Sequence, residues 1–125
     1  MGFNPAENVE TVTTNGKVLA DIIQKKTGIK IKTYVATDYT ALIEGMRGGS
    51  VHFGWLAPFG FVLAEKRANA KVLLKSVRHG KPYFFSAIIT RADKPYRNIR
   101  DLKGKNIAWV DPASTTGFIV PKASL

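Results

Sequence analysis

The chain has 125 residues, 45% of them hydrophobic, with no cysteine, two histidines and a formal net charge of +10. That is enough apolar material for one folded core, so a disordered or low-complexity chain is excluded; disulfides, thiolate catalysis and cysteine-based zinc sites are excluded too, and His52 and His79 alone make no metal cluster. No apolar run approaches the roughly 20 residues that span a bilayer, and Met1 to Pro5 has neither the basic nor the apolar region of a secretion signal, so the start reads as that of a mature or trimmed form.

In chain order, Val9, Val12, Leu19, Ile22 and Ile23 recur at helical spacing and predict a helix from Val9 to Lys26, with Gly28 just past its end. The period then changes. Ile29, Ile31, Thr33 and Val35 alternate with Lys30, Lys32 and Tyr34, the pattern of a strand with one covered face. Thr37 or Asp38 can cap a second helix that runs through Leu42, Ile43 and Met46 to the Gly48-Gly49 stop. Val51 to Leu56 reads as a strand, and Pro58 suits the first turn of a third helix reaching toward Ala68. Two strands are expected at 71–77 and 83–90, around a His79-Gly80-Lys81-Pro82 turn. A polar connector, Arg91 to Arg100, leads to a short helical turn near Asp101 and a buried strand, Asn106 to Val110. This alternation predicts an α/β fold, a mainly parallel sheet covered by helices. The composition shift near Thr90 to Lys94 divides the chain into an incomplete first lobe, 1–90, and a hinge connector with the beginning of a second lobe, 91–125.

Asp111-Pro112-Ala113-Ser114-Thr115-Thr116-Gly117-Phe118 sets three hydroxyls between a strand-like and a helix-like run. Pro112 ends the strand, and all three hydroxyl residues are competent helix N-caps, so a helix is expected to start near Thr116. Its first turn would point unpartnered N–H groups and the positive end of the helix dipole outward, as an anion seat requires. One hydroxyl suffices for a structural cap; three exceed that need. The net charge, +1 through residue 60 and +9 beyond it, suits an acidic partner, but its lysines and arginines are scattered and lie on no single helical face, which speaks against nucleic acid. Trp55 and Trp109 read as core residues and His52 as a strand-end residue. No hydroxyl has a histidine and a carboxylate arranged to activate it, so no catalytic residue and no enzymatic activity are expected. No metal or cofactor is expected either.

Six motifs occur in one family's order: Gly2-Phe3-Asn4-Pro5-Ala6-Glu7-Asn8, Thr37-Asp38-Tyr39, Glu44-Gly45-Met46-Arg47, Pro82-Tyr83-Phe84-Phe85-Ser86, Asp101-Leu102-Lys103-Gly104-Lys105 and the Asp111 to Gly117 run. Through them the chain resembles the phosphate/phosphite/phosphonate solute-binding proteins of ABC transporters. The resemblance implies a periplasmic-binding-protein-like lobe plus the start of a second, and a cleft that captures phosphonate, phosphite or phosphate for a membrane permease. It assigns Ser114, Thr115 and Thr116 to the phosphonyl oxygens and Tyr39 to the same group. Where the pattern has an aromatic donor two residues before the serine, this chain has Phe84, which cannot donate. Tyr83, one residue earlier, is the remaining hydroxyl donor, on the opposite face of an extended chain. The resemblance also implies a periplasmic or extracellular, envelope-associated protein. Family members are about twice this long, so the chain reads as a truncated form with weakened binding and a tendency to homo-oligomerise. The alternatives are a ligand-sensing domain of a signalling protein with the same fold, and a basic nucleic-acid-binding module.

Overall fold

The computed structural model describes residues 1–5 and 8–125, so Ala6 and Glu7 of the first motif lie outside the described residues. Packing divides the chain into two compact units, Met1–Leu73 and Leu74–Leu125. This division falls ahead of the composition shift at 90/91, because the 83–90 segment is tied into the second unit through Ser86 and Thr116.

In the first unit, β1 (Gly2–Phe3), α1 (Val9–Thr27), β2 (Tyr34–Val35), α2 (Tyr39–Arg47), β3 (Gly54–Trp55) and α3 (Pro58–Ala68) follow one another, and the three strands form a parallel sheet in the order β2-β1-β3. Local chemistry fixes the helix ends. The Asn8 side chain accepts from the N–H groups of Glu10 and Thr11 at 2.9 and 3.2 Å, and Gly28, at φ 74°, closes α1 with its N–H on the Gln24 carbonyl. Asp38 Oδ1 accepts from Ala41 N–H at 2.7 Å and caps α2, while Pro58 opens α3.

The pleat sends alternate residues of β1 to opposite layers. Phe3 stacks with Trp55 at 6.3 Å and meets α1, where a side chain at Gly16 would lie 2.7 Å from the Phe3 ring. Gly2 faces the other way, toward Leu42 and Tyr34, and its neighbour Gly54 faces Met46, so α2 packs directly on a glycine-floored stretch of sheet. Ala36, Leu42 and Val51 form the core with Met46 and Leu56 against them, and Ile43 is also fully buried. Each large aliphatic side chain so buried contributes about 1.5–3 kcal/mol.

The α/β class with a parallel sheet is as expected, but the strands are shorter than their sequence patterns. The expected strands at 29–35 and 51–56 pair over only two residues each, and those at 71–77, 83–90 and 106–110 form no ladder among the described residues. A ladder needs a neighbouring strand, which a favourable side-chain pattern cannot supply. The expected turn does form: His79 and Gly80, at φ 51° and 73°, make a two-residue reversal closed by reciprocal Arg78 and Lys81 backbone bonds of 3.0 and 2.9 Å.

The second unit holds a 3₁₀ turn at Ile99–Leu102, a π-helical turn at Thr115–Ile119 and α4 (Val120–Ala123). The helix expected near Thr116 thus begins with i→i+5 bonding, Ile119 N–H reaching the Ser114 carbonyl at 3.0 Å.

Candidate functional site

Two clusters carry the expected binding residues, one in each unit. In the second unit the Asp111 side chain accepts from Ala113 N–H at 2.7 Å and its carbonyl from Ser114 N–H at 2.8 Å, which turns the chain sharply after Pro112. Ser114 is buried, and its Oγ accepts from Gly117 N–H at 3.1 Å as the N-cap of the following turn. Val110 N–H donates to the Gly117 carbonyl at 3.2 Å, and a side chain at Gly117 would come within 2.5 Å of Val110 Cγ2. Position 117 therefore admits only glycine without rearrangement. Thr115 and Thr116 are half-buried, and the Thr116 carbonyl accepts from Ser86 Oγ at 2.7 Å.

The structure therefore brings Ser114, Thr115 and Thr116 onto one helical opening and braces it from Val110 and Ser86. Of the three hydroxyls, Ser114 serves as the cap. Ser86 is a bracing residue that sequence reasoning left without a role. Its signal is a lone hydroxyl inside the apolar run from Phe84 to Ile89.

Tyr83 packs edge-on against Phe85 with ring centroids 5.7 Å apart, and Lys81 Nζ lies 5.9 Å from the Tyr83 ring centre. Tyr83 and Phe84 are both exposed. A depression of about 440 Å³ in the same unit, walled by Ser86, Ile88, Arg97, Ile99, Val120 and Pro121, does not include the three hydroxyl residues.

Tyr39 belongs to the first unit and opens α2 at the carboxyl ends of the strands. It is 3% exposed, its ring packed where a side chain at Gly60 of α3 would lie 3.7 Å from Cδ1. Asp38, its neighbour in the Thr-Asp-Tyr motif, is occupied by the cap. Asn4, directly after β1, is buried at this same end of the sheet and drew no attention in the sequence beyond its place in a motif. Among the described residues no three of His, Cys, Asp and Glu lie close enough to hold a metal ion, and no helix is long and apolar enough to cross a membrane.

Comparison with known proteins places the chain in a family. A sequence model of the family described as "ABC transporter, phosphonate, periplasmic substrate-binding protein" matches residues 1–125. The phosphate-import protein PhnD of Mycolicibacterium smegmatis is 34% identical over 125 residues, covering 97% of this chain and 39% of that protein. The phosphonates-binding periplasmic protein of Escherichia coli is 36% identical over 104 residues, covering 79% of this chain and 31% of that one. The crystal structure of a binding protein component of an ABC phosphonate transporter from Pseudomonas aeruginosa superposes with a TM-score of 0.88 at 25% identity, covering 97% of this chain and 42% of that one. The chain thus spans between about a third and two-fifths of the length of these relatives. On sequence and fold together, the chain belongs to the phosphonate-type periplasmic substrate-binding proteins of ABC transporters.

Proposed function

We propose that this chain carries oxyanion-binding elements of a solute-binding protein that captures phosphonate, phosphite or phosphate and delivers it to an ABC permease, working in the periplasm or at the outer face of the cell envelope. One observation carries the reading: a capped helical opening with three consecutive hydroxyls, braced by Ser86 and Val110, in a chain whose relatives are named for phosphate import and phosphonate binding. Ser114 Oγ accepts from Gly117 N–H, and its own proton is left to donate, because a hydroxyl is donor and acceptor at once. Thr115 and Thr116 set two further hydroxyls at the same opening, and the helix opening adds positive potential. Hydrogen bonds from such donors to an ionised oxygen contribute about 1.5–3 kcal/mol each before ordering costs.

Tyr39 in the first unit and Tyr83 in the second are further candidate donors, each within its own unit. Tyr39 stands at the strand ends of the first unit, where ligands of open α/β sheets bind; Tyr83 is exposed and meets Phe85 edge-on. The role is binding, without covalent chemistry. Calorimetric titration of the 125-residue chain with inorganic phosphate, phosphite and methylphosphonate tests the reading. Saturable binding of at least one, competed by the others, is the expected result; no heat and no competition with any of the three would defeat it.

A second part of the proposal is self-association. Leu74 is 91%, Phe85 83% and Ile89 89% exposed, and the 83–90 segment carries no ladder. Extended apolar backbone of this kind pairs readily with a second copy.

A further inference from the structure

We infer that the Asn4 side-chain amide is a direct contact for an oxyanion at the first unit, a role that rests on the oxyanion-binding reading above. Asn4 follows β1, the central strand of the β2-β1-β3 sheet, at the carboxyl end of all three parallel strands. That edge, where the chain crosses to opposite sides of β1, is where open α/β sheets receive ligands.

Asn4 and Ser114 are the buried polar residues among those described. The Ser114 hydroxyl is accounted for by its bond from Gly117. The Asn4 amide, in a residue only 5% exposed, makes no side-chain hydrogen bond to any described residue. An amide has two N–H donors and a carbonyl with two lone pairs, and leaving all of them without partners inside a protein is costly. Yet among the described residues no polar side-chain atom is both fully sealed from solvent and unpaired. At 5% exposure Asn4 still meets the outside, the way by which a ligand would reach its amide.

Gly2 faces Leu42 and Tyr34 on the α2 layer, and an extended chain continued two residues on would set Asn4 on that side. At that level α2 begins with Asp38 and Tyr39, and the Asp38 carboxylate is already engaged with Ala41 N–H. The ladder ends at the same point, Ala36 N–H on the Phe3 carbonyl at 2.9 Å, and Pro5 has no N–H to extend it. A neutral carboxamide also suits the ligand chemistry. Nδ2 donates to an ionised oxygen, while Oδ1 accepts from a protonated one, so both protonation states of a phosphorus oxyanion are served. A carboxylate in its place would repel the anion.

Nitrogen-edited NMR of the wild-type 125-residue chain tests this, with the Asn4 side-chain resonances assigned through their bonds to the Asn4 backbone. Titration with inorganic phosphate is expected to move the Asn4 Nδ2 resonances saturably, with the backbone amides of Ser114 to Thr116 followed in the same spectra. Calorimetry should find Asn4→Ala weakened by about tenfold or more, the loss of one hydrogen bond to a charged group, and Asn4→Asp weakened further at neutral pH. Asn4 resonances that stay still while those of Ser114 to Thr116 move would overturn the role of Asn4 alone. No movement at either place would overturn the oxyanion reading and this inference with it. Because the decisive measurement uses the wild-type chain, a variant that folds poorly does not obscure the result.

Discussion

In the proposed site Ser114 would use one hydroxyl for two bonds, accepting the Gly117 N–H that closes the helix opening and offering its proton to a ligand. Its replacement should therefore have two effects where that of the Thr116 hydroxyl has one. Ser114→Ala should lose about 1 kcal/mol of stability as a lost cap and also weaken phosphate binding; Thr116→Ala should weaken binding with a smaller change in melting temperature. Calorimetry paired with thermal melts separates them, and equal affinity in both variants would remove the turn from the site. Tyr39→Phe asks the matching question in the first unit. If the hydroxyl serves the anion, affinity should fall about tenfold with the fold retained; a lowered melting temperature at unchanged affinity would make Tyr39 a packing residue only. The hydroxyl cluster was legible because three N-cap residues in a row after a proline are conspicuous. Ser86 and Asn4 were not, since each draws its meaning from what folding brings beside it, or leaves absent.

At the scale of elements, the helices rest on bonds between near neighbours in sequence. Removing the α2 cap with Asp38→Ala should cost about 0.5–2 kcal/mol, and Leu42→Ala, which empties a fully buried position on the same helix, about 2–5 kcal/mol. Chemical denaturation should rank the two in that order. The Ile99–Leu102 turn offers a pH-dependent case. The Asp101 carboxylate accepts from Arg97 N–H at 2.7 Å and Asn98 N–H at 3.0 Å, and those two bonds, Arg97 first, hold its pKa below the usual carboxylate range. A lowered folded pKa stabilises the turn fully above the ordinary carboxylate range, and the contribution is lost as pH falls through the lowered value. The Arg97 and Asn98 amide resonances should therefore shift together in an acid titration, and Asp101→Asn should abolish that shared transition.

Across the whole molecule, charge and apolar exposure act in opposite directions. A net charge of +10 repels a second copy, while Leu74, Phe85 and Ile89 favour contact with one. Added salt screens the repulsion and leaves apolar burial intact. Light scattering across a concentration series should therefore show a mass that rises with protein concentration and more steeply at 0.5 M salt, taken as roughly three times or more the physiological ionic strength. A Phe85→Lys, Ile89→Lys double variant should remain smaller at equal concentration. A monomeric mass throughout, in both salts, would defeat self-association.

Val9 to Gly28, Asp38 to Gly48 and the His79-Gly80 reversal could be read from the sequence alone because each is specified within a few residues, by a cap, a 3.6-residue period or a backbone angle suited to glycine. The family was legible for a related reason: its motifs are local runs, and their order along the chain survives without knowledge of the fold. Strand extent was not, because a ladder bond joins residues far apart in sequence, and the alternation at 29–35 or 83–90 describes a surface fit to pair without naming a partner. Only the tertiary structure decided that β1 lies between β2 and β3, that Ser86 braces Thr116, and that Asn4 is left buried with an amide no described residue satisfies. Those are facts of packing, set by which distant groups meet and which do not.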